Sequence, residues 1–175
     1  MKIAVYGTSA TGKTAIASEL ANKLRFELRS CGEIVKKITN QLGLSSPSKL
    51  NIHDHKLIDS ETKNVVLTTN NIIIEGRYLN FVLYEIKDVK FIELICSPEE
   101  RKRRILKRDF PNSIARLKNI DIEKIDKEDQ KLIHSLYGEI EPKIIYKYQI
   151  DTTNYSVVEC VDIIIQECKK QKCLD

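Results

Sequence analysis

Short apolar runs alternate with longer amphipathic segments along the chain. KIAVY (2–6) is apolar and ends at Gly7, as a buried strand does. TAIASELANKL then repeats Ile16, Leu20 and Leu24 at four-residue steps, which return a side chain to one helix face. FELRS (26–30) predicts a second strand. CGEIVKKITNQLGL (31–44) predicts a helix with Ile34, Ile38 and Leu42 on one face and Gly43 as its stop. After the turn-rich SSPSKLN, DHKLIDSETKNVVLTTN (54–70) reads as a solvated helix with Asp54 as N-cap. NIIIEGR (71–77) and KFIELIC (90–96) are unbroken apolar runs, the look of central parallel strands. SPEERKRRILKRD (97–109) predicts a helix capped by Ser97, with Pro98 in its first turn. The stretch 109–126 is polar and weakly periodic. IEPKIIYKY (140–148) is expected in a helix that Pro142 kinks or restarts, followed by the strand YQID and a closing helix over 157–170.

Strands alternating with helices imply an α/β architecture around a parallel sheet. A length of 175 residues suits one domain with its own core. Hydrophobic residues at 42% and charged residues at 31% exclude wholesale disorder. The net charge of +4 suits anionic small molecules, while the absence of a basic run and the scarcity of aromatics argue against a nucleic-acid partner. No apolar stretch reaches membrane-spanning length, and the segment before Gly7 is too short for a secretory h-region. The five cysteines show no CxxC spacing and read as reduced thiols, so a cytoplasmic protein is expected; it is also expected to be a monomer.

Gly7, Thr8, Ser9, Ala10, Thr11, Gly12, Lys13 and Thr14 spell G-x-x-x-x-G-K-T between a strand and a helix. That context makes the motif a phosphate loop: backbone N–H groups form an anion nest, and the helix adds its positive end. Lys13 is expected on the β- and γ-phosphates of ATP and the Thr14 hydroxyl on Mg²⁺. No N-K-x-D base-reading sequence occurs, and the chain is short for a motor or transporter, which leaves a small kinase.

In IIIEGR, Glu75 ends a strand and is a candidate carboxylate near Mg²⁺. Gly76 permits close approach, and the planar fork of Arg77 suits a phosphate. Arg101, Arg104 and Arg108 step by three and four along one helix face, so they can line a phosphate channel. His53 and His55, at i and i+2, do not share a helix face and read as surface residues. Asp54 and Asp59 read as solvated, and Tyr137, Tyr146 and Tyr148 as packing residues.

GTSATGKT, RSCGEIVKKI, IIIEGR, SPEERKRRILKRD and YGEIEPKIIYKYQIDTTNYS, in this order, resemble the archaeal-type cytidylate kinase family of nucleoside monophosphate kinases. The resemblance runs nearly end to end. It implies a P-loop three-layer sandwich with a five-stranded parallel sheet flanked by helices, acceptor-binding helices and a mobile lid at about 109–137, in one domain over 1–175. It also implies transfer of the γ-phosphoryl group of ATP to CMP or dCMP, with Mg²⁺. It places Ser30, Gly32, Lys36, Gly76 and Arg77 at the acceptor, and Arg101, Arg104 and Arg108 with Lys13 around the transferred group. The chain departs from the pattern at Glu33 and Lys36, where the family has Asp and Arg. It also departs in KEDQKLIHSLYG (127–138), which carries no arginine. These departures bear on the acceptor, and leave open another small acceptor (AMP, a modified pyrimidine nucleotide or a shikimate-like molecule) or a non-catalytic nucleotide-binding regulatory module.

Overall fold

In the computed structural model, residues 1–109 and 120–170 are described. The elements are β1 (Lys2–Tyr6), α1 (Lys13–Leu24), β2 (Glu27–Ser30), α2 (Cys31–Gln41), a 3₁₀ turn (Pro47–Lys49), α3 (Ile52–Thr68), β3 (Ile72–Gly76), α4 (Leu79–Leu83), β4 (Val89–Ile95), α5 (Pro98–Asp109), α6 (Ile122–Tyr137), β5 (Lys147–Asp151) and α7 (Val157–Lys170). The five strands form one sheet in the order β2-β3-β1-β4-β5, and every pairing is parallel.

Strand alternation sorts the core into two layers. Ile3 and Val5 point to one face with Ile73, Ile92 and Leu94, and pack against Ile16 and Leu20 of α1 and Val161 and Ile164 of α7. Ala4 and Tyr6 point to the other with Ile74 and Phe91, and meet Val66 of α3 and Leu79, Val82 and Leu83 of α4. A third cluster, Ile34, Ile38 and Ile58, joins α2 to α3. β1 and β3 carry 0–3% exposure at their apolar positions, which is why their sequences are unbroken apolar runs.

Three expectations change. Asn51, not Asp54, caps α3: its side chain accepts from Asp54 N, and Asp54 returns a bond to Asn51 N, a reciprocal box that closes two orphan N–H groups. Asp54 is buried rather than solvated. Residues 140–146 are not helical; the chain leaves α6 at Gly138 (φ 63°) and runs irregularly past Pro142, leaving Ile145 exposed. The weakly periodic stretch ends in a real helix, α6, capped by Asp121, whose side chain accepts from Lys124 N. Of the lid expected over 109–137, residues 110–119 lie outside the described residues. No described helix is long and apolar enough to cross a membrane.

Candidate active site

Between β1 and α1 the chain makes the turn that its glycines require. Gly7, Ala10 and Gly12 adopt positive φ of 148°, 64° and 96°. At Gly7 a Cβ would stand 2.2 Å from the Leu94 carbonyl oxygen, so only glycine fits. Reversals of this kind bring successive N–H groups to one side, where the N-terminus of α1 adds its dipole. Lys13 Nζ folds back and donates to Thr8 O at 2.6 Å. Burial lowers the Lys13 pKa to about 8; Glu75 and Asp129 draw it up, and Arg77 and Arg101 push it down. Five charged groups therefore converge on the loop.

β3 runs beside β1, with Glu75 opposite Val5 and Gly76 opposite Tyr6. Glu75 is buried at 7% exposure and accepts from Ser30 Oγ across the β2–β3 pairing. Ser30 also caps α2 by accepting from Gly32 N at 3.1 Å. A Cβ on Gly76 would meet Cys31 Sγ at 2.8 Å, so glycine there lets α2 close on the sheet. Lys36 lies exposed on α2. The carboxylate of Glu75 and the exposed hydroxyl of Thr14 are hard oxygen donors, as Mg²⁺ requires. No cluster of three or more metal-binding side chains occurs among the described residues.

The arginines of α5 reach the loop through its carbonyl oxygens. Arg101, 4% exposed, donates Nε to Ser9 O at 2.8 Å and both terminal nitrogens to Asp126 at 2.8 and 2.7 Å. Arg104 donates to Glu100 and to both oxygens of Thr152, and Thr152 Oγ1 donates to Thr11 O at 2.9 Å. Arg108 is exposed on the same helix.

Arg77 Nη1 donates to Asp129 Oδ1 at 2.8 Å, and the Tyr78 hydroxyl donates to the same oxygen at 2.8 Å. The Arg77 side chain remains 50% exposed. Asp126, Asp129 and Tyr137 lie three and eight residues apart on α6, one face of the helix. Tyr137 donates to both oxygens of Asp59 at 3.2 and 3.0 Å and stacks on Phe81 at 5.1 Å. Asp59 is thus a bonded, half-buried group rather than a solvated one, and burial raises its pKa.

The structure brings three of the expected site residues, Lys13, Glu75 and Arg77, within electrostatic reach of one another. Asp126, Asp129, Tyr78 and Thr152, which bond to their neighbours, were not expected there. The signal for the first two was an acidic i, i+3 pair on an amphipathic helix.

A phosphate loop with a lysine at its helix start, on a parallel sheet of this order, defines a P-loop kinase, a phosphotransferase acting on a nucleotide or another small molecule. The AAA domain family model matches residues 3–131, and the chain belongs to that family. A cytidylate kinase of Archaeoglobus fulgidus is 25% identical over 98% of this chain and 97% of its own length. A provisionally named adenylate kinase of Methanocaldococcus jannaschii is 29% identical over 98% of this chain and 88% of its own. The shikimate kinase of Acinetobacter baumannii, solved with shikimate, has the same fold: TM-score 0.65 at 18% identity, covering 98% of this chain and 94% of that one.

Proposed function

We infer that this kinase transfers the γ-phosphoryl group of ATP to a nucleoside monophosphate, with CMP or dCMP as the preferred acceptor. The observation that carries the reading is Arg77: a half-exposed guanidinium at the end of β3, one strand from the phosphate loop and within electrostatic reach of Lys13. A fork there suits an acceptor phosphate, and the relatives named cytidylate kinase favour a cytidine nucleotide.

Both substrates are anionic, so positioning and charge neutralisation supply the catalysis. An oxygen of the acceptor phosphate attacks the γ-phosphorus in line, the bond to the β–γ bridging oxygen breaks, and ADP leaves. The acceptor oxygen is already ionised, so no general base is needed. The loop N–H groups and Lys13 hold the donor phosphates, and Arg77 holds the acceptor. Arg101 and Arg104 fix the loop from its carbonyl side and add positive charge behind it, and Arg108 extends that charge along α5. Mg²⁺, placed by Thr14 and Glu75, would neutralise charge on the phosphates. Ser30 holds the Glu75 carboxylate, Gly32 supplies the N–H that orients Ser30, and Gly76 lets α2 close on the end of β3 beside them.

The test is an acceptor screen reading ADP release with ATP and Mg²⁺ against CMP, dCMP, UMP, AMP, shikimate and gluconate. Preference for CMP or dCMP supports the reading. Preference for AMP moves the base assignment, and preference for shikimate or gluconate overturns the monophosphate. Binding of ATP without turnover on any of them favours a regulatory module.

A further inference from the structure

Successive peptide oxygens of the phosphate loop are met by donors from outside it. Arg101 Nε donates to Ser9 O at 2.8 Å, Arg104 Nη1 approaches Ala10 O at 3.5 Å, and Thr152 Oγ1 donates to Thr11 O at 2.9 Å. In a trans peptide the carbonyl and the following N–H point opposite ways, so each such bond also aims an amide. Holding Thr11 O turns the Gly12 N–H to the other side, where the loop and the start of α1 receive phosphate. That peptide most needs holding. It precedes Gly12, whose φ of 96° is only one of the conformations a glycine adopts, so no side chain of its own resists a flip.

The donor comes from the edge of the sheet. β5 is the outermost strand, with β4 between it and β1. Gly7 lets the loop pass close over the end of β4, where a Cβ would meet Leu94 O. Thr152 follows β5 directly and crosses the same end, its N–H on Ile95 O at 2.9 Å. Its neighbour Thr153 accepts from Ser97 N at 2.9 Å, which fixes this turn to the start of α5.

The Thr152 hydroxyl has one proton and two lone pairs to place. Arg104 Nη1 donates to Oγ1 at 3.0 Å, while Arg104 Nη2 donates to Thr152 O at 2.6 Å. Ile95 O lies 3.2 Å from Oγ1 but already has the Thr152 N–H. The proton is thereby committed to Thr11 O. Thr152 is 1% exposed, so it faces neither solvent nor a bound nucleotide.

We propose that Thr152 is a positioning residue for the phosphate donor: its hydroxyl, oriented by Arg104, locks the Thr11–Gly12 peptide with the Gly12 N–H toward the donor phosphates. It touches no substrate and acts through the loop. This rests on the loop as the donor site and not on the identity of the acceptor.

Thr152→Val keeps the volume and removes the proton, while Thr152→Ser keeps the hydroxyl. Two readouts are compared: calorimetric binding of inorganic tripolyphosphate with Mg²⁺, a probe without base or sugar, and the steady-state KM for ATP and CMP. In Thr152→Val the tripolyphosphate Kd and the ATP KM are expected to rise together by about threefold to tenfold, the size of one lost hydrogen bond. The CMP KM is expected to hold, and Thr152→Ser to stay within about twofold of wild type. A merely structural hydroxyl would lower the melting temperature and leave the donor constants level. A raised ATP KM with unchanged tripolyphosphate affinity would place Thr152 at the base or sugar and overturn the proposal. Unchanged donor constants in folded Thr152→Val, or an equal rise in the CMP KM, would overturn it too. If Thr152→Val does not fold, Thr152→Cys, with a weaker donor, is read the same way: a parallel rise supports the proposal and level values overturn it. Wild-type protein that binds no tripolyphosphate would overturn the donor-loop reading itself, and the role of Thr152 with it.

Discussion

Arg77 and Asp129, 52 residues apart, are joined by a 2.8 Å ion pair that ties the end of β3 to α6. In the proposed function the acceptor phosphate competes with this carboxylate for the same guanidinium. The helix over the site and the acceptor are thereby coupled through one side chain.

The first prediction separates acceptor from donor. Arg77→Lys keeps charge and loses the fork, so the CMP KM should rise about tenfold to a hundredfold with the ATP KM unchanged. Paired titrations read both values. A collapse of ATP affinity with an unchanged CMP response would place Arg77 on the donor side. Because Arg77 is half exposed, its double-mutant coupling to Asp129 should be only about 0.5–1 kcal/mol of stability.

Lys13 supplies a pH prediction. Without ligand, burial first and foremost holds its pKa down at about 8, and the phosphates of bound ATP favour the charged form and raise it. The bound state therefore carries more protons than the free state, so ATP binding takes up protons and weakens as pH rises through 8 and above. Calorimetry in buffers of different ionisation enthalpy should show uptake approaching one proton near pH 9. Proton release, or affinity flat from pH 7 to 9.5, would contradict this account of Lys13.

Arg101 is an anchor as well as a charge. It is nearly fully buried and bonds both the phosphate loop and Asp126 on α6. Arg101→Met should lower stability in urea by about 2–4 kcal/mol, since it strands a carboxylate and a loop carbonyl. Hydrogen exchange in α6 should rise with it. A loss under about 0.5 kcal/mol would mean that α6 is held by other contacts.

What the sequence made legible was local. GTSATGKT carries its own geometry in its glycines, and the apolar runs in 2–6, 71–77 and 90–96 announce central strands, of which β1 and β3 are buried at every apolar position. Arg77 was readable because it follows a strand directly. Asp129 was not, since its meaning depends on a partner brought near only by the tertiary fold. The stripe Arg101, Arg104 and Arg108 was legible as a face, but not that its guanidinium groups would bond Ser9 O, Ala10 O and Thr152. Residues 140–146 misled because an apolar run with spaced charges suits an amphipathic helix. There Gly138 ends α6, and the chain turns to reach β5. Asp54 misled because an acid at N3 and one at the N-cap look alike until Asn51 is seen to complete the box.

The central claim is phosphoryl transfer from the loop that Lys13 closes to a nucleoside monophosphate. Phosphorus NMR of ATP, Mg²⁺ and CMP mixed with the wild-type protein and with Lys13→Ala tests it most directly. The account predicts that the β-phosphorus resonance of CDP grows as that of ATP declines. It predicts that Lys13→Ala, folded by circular dichroism, slows this by about 10²-fold or more through loss of a charged contact to the transferred group. Inorganic phosphate in place of CDP, or an undiminished rate in Lys13→Ala, would contradict it.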